Sequence, residues 1–262
     1  MVQIVIRSIL FNILFYINLI VLMVGGLPCV LMGRKASLGM AKRWGRTSVW
    51  LLGAVCNLKT EFRGLENIPK GAAIIAPKHQ SIFETFALTI PIDDFTYIVK
   101  RELLWLPLFG WYIWGTEQLA INRSKGGSAL AQVAAMARKI LPEGRKIFIF
   151  PEGTRRPAGA KPAYKYGATH LYVESGVPCL PVALNAGLFW PRRTFLRRPG
   201  VIVIEFLPVI EPGLDRQTFA ALLQERIETA TNRLIAEALA RDPSLKANMA
   251  TPGDAGEQKQ TA

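Results

Sequence analysis

The 262-residue sequence predicts an α/β fold, with a largely parallel central sheet flanked by helices and preceded by an N-terminal membrane-anchoring helical segment. Three observations carry that expectation. From residue 60 onward, short β-type runs alternate with helical stretches, the order expected of an α/β sheet with helices on both sides. Several of the β runs are continuously apolar, as strands covered on both faces must be. Ahead of them, residues 9–32 contain no charged side chain.

That uncharged run is about two dozen residues long, enough to cross a hydrocarbon core by the roughly 20-residue criterion. It exceeds a signal-peptide core and lacks a convincing small-residue cleavage site, so it is read as retained. Only Arg7 precedes it, whereas Arg34, Lys35, Lys42, Arg43 and Arg46 crowd the residues after it. The positive-inside bias therefore places the active domain on the cytoplasmic side, in a bacterial-type cell on the inner membrane. A second apolar patch, "TSVWLLGAVCNL" (47–58), is too short to span and fits an interfacial or folded-back helix. A true crossing and two half-buried helices in one leaflet both fit.

Three segments follow from this: anchoring helices over 1–58, an α/β domain over 59–241, and a polar, small-residue tail over 242–262 expected to be disordered. The strand candidates are "AAIIA" (72–76), "FTYIV" (95–99), "KIFIF" (146–150), "CLPVAL" (179–184) and "VIVIEF" (201–206). Helical candidates occupy 82–90, 126–141, 164–175 and 215–241.

Composition narrows the partners. A formal charge of +13 indicates a polyanion. With an apolar N-terminus and no recognisable nucleic-acid module, an anionic membrane surface is expected and nucleic acid is not. Cys29, Cys56 and Cys179 are isolated, and the two histidines, His79 and His170, are far apart, so neither a metal nor a cofactor site is expected. Reduced thiols suit a cytoplasmic domain.

In open α/β sheets ligands bind beyond the carboxyl ends of the strands. Three polar clusters begin where a strand candidate stops: Pro77-Lys78-His79, Lys100-Arg101-Glu102 and Pro151-Glu152-Gly153-Thr154-Arg155. If the strands are parallel, all three open onto one edge. Within the first, Ser81 and Glu84 have the S-x-x-E spacing of a helix capping box. His79 and Glu84 cannot share a helical face, since five residues leave side chains about 140° apart. A histidine in the loop before the helix and a glutamate one turn in can still meet, the carboxylate holding one ring nitrogen and freeing the other as a base. No Gly-x-Ser-x-Gly elbow is present, so such a base would activate the acceptor's own hydroxyl. "FPEGTRR" (150–156) supplies a glycine for close backbone approach, the Thr154 hydroxyl and the planar Arg155 fork suited to phosphate; it is equally a strand-to-loop turn with solvated arginines. Arg123 and Lys100 are further basic candidates. The aromatic stretch 101–121 reads as either core or the wall of a lipid groove.

These residues resemble the 1-acylglycerol-3-phosphate (lysophosphatidic acid) acyltransferase family. Its first block, N-H-x-S-x-x-D, is similar to Lys78-His79-Gln80-Ser81-Ile82-Phe83-Glu84 with two changes. The second matches Leu119 through Arg123, the third, F-P-E-G-T-R, stands unchanged at 150–155, and the fourth matches Val177 to Val182. The four blocks lie in the family's order within about residues 60–210.

The resemblance implies a membrane-bound O-acyltransferase moving a fatty acyl group from a thioester on coenzyme A or acyl carrier protein to the sn-2 hydroxyl of lysophosphatidic acid. His79 would be general base and Glu84 its orienter, with Arg123, Glu152, Gly153 and Arg155 holding the acceptor, and no metal needed. Glycerol 3-phosphate, a lyso-aminolipid acceptor, or a non-catalytic lipid-binding role are the alternatives. Glu84 stands where aspartate is usual and adds a methylene. Lys78 stands where asparagine is usual and adds positive charge beside His79, which disfavours a protonated imidazole.

Overall fold

The computed structural model describes residues 1–122 and 127–250. It opens with α1 (Val2–Gly25), α2 (Leu27–Leu31) and α3 (Arg34–Cys56), then β1 (Leu58–Arg63), β2 (Ala73–Pro77), α4 (Phe83–Ala87), β3 (Phe95–Lys100), α5 (Phe109–Gly115) and β4 (Leu119–Ile121). There follow α6 (Gly127–Ile140), β5 (Lys146–Phe148), α7 (Tyr166–Ser175), β6 (Cys179–Leu184), α8 (Ala186–Phe189), β7 (Gly200–Phe206) and α9 (Arg216–Arg241). The strands form one sheet in the order β1-β7-β6-β2-β5-β3-β4. Every pairing is parallel except β6 with β7. The fold class is thus the one the sequence predicts.

Strand alternation explains the unbroken apolar runs. Along β2, Ala73 and Ile75 belong to one cluster and Ile74 and Ala76 to the other; β5 divides Phe148 from Ile147 in the same way. The first cluster is covered by α1, α3, α4 and α8, and the second by α6, α7 and the first half of α9. Each central strand is therefore buried on both faces.

Four features depart from the sequence expectations. The strands β1 and β4 were not foreseen. They occupy the two edges of the sheet, where β1 tolerates exposed or half-buried Lys59, Glu61 and Arg63 and β4 needs only three residues. The uncharged run 9–32 is not one helix: α1 starts before it, includes Arg7, and stops at a corner. There a Cβ on Gly26 would lie 2.5 Å from the Tyr112 hydroxyl and 2.7 Å from the Leu22 carbonyl, so only glycine allows the chain to turn into α2. The patch 47–58 is the second half of the longer α3. Finally, residues 242–250 are ordered. Asp242 accepts from the Ser244 amide, Leu245 is buried, the Asn248 amide group donates to the Leu188 carbonyl, and Met249 pairs with Ala158. The remainder of the expected tail, 251–262, lies outside the described residues.

The N-terminal helices and the sheet share one core. Phe11 and Phe15 of α1 pack against Trp190, and Phe15 also meets Trp44 and Phe86. Ser8 is fully buried and its Oγ accepts from the Arg197 amide at 2.8 Å. The Asn18 side chain donates to Thr47 Oγ1 across the α1–α3 pair at 2.9 Å.

Candidate active site

The site stands where the parallel strands end. Ile75 pairs with Phe148 and Phe148 with Tyr97, so the chain leaves β2, β5 and β3 at the same edge. The three polar clusters all open onto it, as the sequence anticipates for parallel strands. Arg123, which follows β4, lies outside the described residues.

A short loop between β2 and α4 brings His79 and Glu84 together. His79 Nδ1 is 2.9 Å from Glu84 Oε1. The same carboxylate oxygen accepts from the backbone amides of Gln80 and Ser81, both at 2.8 Å, while Ser81 Oγ accepts from the Phe83 amide at 3.3 Å. One fully buried carboxylate thus holds the Gln80 and Ser81 amides and His79 at once, whereas the N-cap of α4 is Ile82, without a side-chain cap. Three donors converging on one oxygen suit a carboxylate. With the carboxylate as acceptor, Nδ1 is assigned as the donor, and Nε2 is the ring nitrogen turned away from Glu84. The ring itself lies against Phe150, with centroids 4.0 Å apart and planes 24° apart, and Phe148 stacks in turn on Tyr97 at 4.4 Å. Gln80 closes the loop from behind, its Oε1 accepting from the Gly187 amide at 2.9 Å.

Glu152 takes a different part from the one expected of it. Its side chain is enclosed, with no exposed area, and its carboxylate is turned toward the protein interior. One carboxylate oxygen accepts from the His79 amide at 2.9 Å and the other forms an ion pair with Lys78 Nζ at 2.8 Å. Burial pushes this carboxyl up from its ordinary range, against the opposing pull of Lys78. Lys78 likewise departs from expectation. Rather than projecting free charge at His79, its ammonium lies between Glu152 and Glu228, 2.6 Å from the latter.

Beyond Glu152 the loop turns outward. Gly153 has φ +66°, the left-handed region that favours glycine, and a Cβ there would lie 2.9 Å from Lys165 Cδ. Thr154 and Arg155 are exposed, and the Arg155 carbonyl accepts from Arg192 Nη1 at 2.8 Å. Lys100, at the end of β3, is exposed and 3.5 Å from Glu102. The edge thus presents a held imidazole flanked by exposed cations. Among the described residues, no group of three or more His, Cys, Asp or Glu could hold a metal.

The stretch 101–121 divides between the two readings: Ile113, Leu119 and Ile121 are buried, while its tryptophans face outward. Trp105, Trp111 and Trp114 are mostly exposed, and the last two line a groove of about 530 Å³ with Leu27, Pro28, Val30 and Leu31. The sequence reading missed Glu228, Tyr164, Phe150 and Gln80. The first two meet Lys78, the neighbour of His79, through tertiary contacts that no local spacing signals.

Comparison with known proteins yields consistent matches. The family model described as Acyltransferase matches residues 59–185. The chain is 37% identical over 198 residues to the 1-acyl-sn-glycerol-3-phosphate acyltransferase of Pseudomonas aeruginosa, spanning 76% of this chain and 77% of that protein. It is 27% identical over 210 residues to the alpha form of that enzyme from Mus musculus, spanning 77% and 72% respectively. The crystal structure of the 1-acyl-sn-glycerophosphate (LPA) acyltransferase PlsC from Thermotoga maritima superposes with a TM-score of 0.75 at 25% identity, covering 89% of this chain and 98% of that one.

Proposed function

The chain belongs to the 1-acyl-sn-glycerol-3-phosphate acyltransferase family, and from that premise we propose that it acylates the sn-2 hydroxyl of lysophosphatidic acid to give phosphatidic acid, with His79 as general base. The donor in this reading is a fatty acyl thioester on coenzyme A or acyl carrier protein. The observation that carries it is the 2.9 Å contact between His79 Nδ1 and the buried Glu84 carboxylate, which leaves Nε2 without a partner among the described residues.

Nε2 takes the proton of the acceptor hydroxyl as its oxygen attacks the thioester carbonyl. Glu84 stabilises the imidazolium that forms. Collapse of the tetrahedral intermediate breaks the carbon–sulfur bond, and the departing thiolate takes the proton back from Nε2, which returns the base to its starting state. In this reading transfer is direct, with no covalent enzyme intermediate, since among the described residues no serine or cysteine side chain is hydrogen-bonded to His79. The test is phosphatidic acid formation by the purified protein in detergent, with acyl-CoA and acyl carrier protein donors, against lysophosphatidic acid, glycerol 3-phosphate and a lyso-aminolipid. Activity on another acceptor would keep the mechanism and change the substrate; no transfer by folded protein would leave a lipid-binding role.

Arg155 and Lys100 are assigned to the acceptor phosphate, with Gly153 and Thr154 shaping the approach and Arg123, next after Asn122 in sequence, as a further cation for it. A charge-assisted hydrogen bond contributes about 1.5–3 kcal/mol. Arg155→Ala should therefore raise KM for lysophosphatidic acid by roughly 10- to 100-fold, at 1.4 kcal/mol per decade, with kcat changing much less. An unchanged KM would remove Arg155 from the binding set.

The anionic membrane surface is the second partner in this reading. One face of α1 is held to the domain through Ser8, Phe11 and Phe15, while the opposite face exposes Ile6, Leu10, Ile13, Ile17, Ile20 and Val24. A helix fixed along one side over this length suits a position in the plane of the interface, with its outer face in the acyl chains and the site toward the cytoplasm. Ile13→Glu/Ile17→Glu should weaken partition onto anionic vesicles by about tenfold or more, because each apolar side chain of this size contributes about 1.5–3 kcal/mol when buried. Retention of full binding would argue for a different contact surface.

A further inference from the structure

We propose that Lys78 and Glu228 form a positioning couple, through which the C-terminal helix α9 fixes the backbone that carries His79. The inference rests on the reading of His79 as the base.

The contacts form a continuous chain. Glu228 of α9 is 2.6 Å from Lys78 Nζ and also accepts from the Tyr164 hydroxyl at 2.9 Å. Lys78 Nζ lies 2.8 Å from Glu152 Oε1, and Glu152 Oε2 accepts from the His79 amide at 2.9 Å. Arg156 closes the loop on the other side: its Nε is 4.0 Å from Glu152 Oε1 and its amide donates to the His79 carbonyl at 2.8 Å. Both backbone polar groups of His79 are therefore engaged from outside its own loop. Lys78 and Glu152 are almost completely buried and Glu228 is partly buried. Tyr164 stays protonated as a donor, its pKa pushed far up first by burial and then by Glu228 and Glu152.

Charge decides how the couple behaves. Two carboxylates, Glu152 and Glu228, share one ammonium, with Arg156 as the second cation near Glu152. Removing Lys78 alone leaves a buried and a partly buried carboxylate facing each other, which forces one to take a proton or move. Because Glu152 accepts from the His79 amide, the catalytic ring moves with it. Removing the charge of Glu228 as well relieves the conflict. Lys78 thus needs a residue 150 positions away, and Glu228 has its role only while Lys78 is present.

The test is a double-mutant cycle over Lys78→Asn and Glu228→Gln, with two readouts. In acyl transfer, Lys78→Asn should lower kcat by about tenfold or more with KM for lysophosphatidic acid within about twofold, and the double variant should recover most of that loss. Independently of activity, carbethoxylation of His79 by diethyl pyrocarbonate, quantified by peptide mass spectrometry against His170 in the same sample, should change in Lys78→Asn and return in the double variant. Should Lys78→Asn not fold, Glu228→Gln alone decides, since it must shift both kcat and His79 reactivity. The couple is overturned if the two substitutions act independently, if His79 reactivity stays at the wild-type value, or if the loss falls on KM, which would make Lys78 an acceptor contact. Wild-type protein that transfers no acyl group would overturn the functional reading instead, while the reactivity cycle would still report on the couple.

Discussion

His79→Ala is expected to abolish acyl transfer, lowering kcat by roughly 10²- to 10⁴-fold, the usual contribution of a positioned general base. Alanine leaves the acceptor hydroxyl with no group to take its proton, because the neighbouring carboxylates are unsuited. Glu84 is fully buried and held by two backbone amides, and Glu152 is enclosed with Lys78. The fold should persist. The His79 backbone amide and carbonyl remain bonded to Glu152 and Arg156, the Glu84 carboxylate keeps the Gln80 and Ser81 amides, and what is lost is the ring's contact with Glu84 and its stacking on Phe150. The measurement is single-turnover acyl transfer beside a thermal melt in detergent. A variant that melts like the wild type yet keeps more than about a tenth of the rate would remove His79 from the chemistry, given the expected range.

Glu84→Gln separates the charge of the carboxylate from its geometry. The side chain is isosteric, and its carbonyl oxygen can still accept from the Gln80 and Ser81 amides and from His79 Nδ1. What is lost is the negative charge opposite a developing imidazolium, on a side chain that is fully buried. We expect kcat to fall by roughly 10²- to 10⁴-fold, comparable with the loss of the base itself, and the two substitutions together to cost little more than either alone, because base and orienter act as a unit. Glu84→Asp should keep the charge but withdraw the oxygen by one methylene, at a smaller cost in kcat. A Glu84→Gln variant with wild-type kcat would leave Glu84 only as the acceptor for the Gln80 and Ser81 amides.

Much of this was legible in the sequence because it depends on neighbours along the chain. The apolar runs over 72–76, 95–99, 179–184 and 201–206 became β2, β3, β6 and β7 within a residue or so at each end. Those of 126–141 and 215–241 became α6 and α9. The edge strands left little local signal for two reasons: β4 is only three residues long, and β1 is of mixed polarity. A strand with one unpaired side need not be apolar throughout, so β1 reads as the unremarkable "LKTEFR". The reversal of β7 against β6 also left no local mark, since a central strand is apolar whichever way it runs.

The candidate site divides along the same line. By itself the sequence determined that His79 and Glu84 stand in a loop-to-helix segment at a strand's end, that "FPEGTR" follows another strand, and that the N-terminus is apolar enough for a membrane. Each of these is a matter of residue type and spacing, which hydrophobic periodicity and capping chemistry make readable. Only the tertiary structure decided that Glu152 faces inward to hold the His79 amide, that Lys78 is neutralised by Glu152 and Glu228, and that α1 is packed on the domain along one face. Those outcomes depend on which groups are enclosed together. Enclosure sets the electrostatic cost that forces buried charges to pair, and it arises from contacts between segments far apart in the chain.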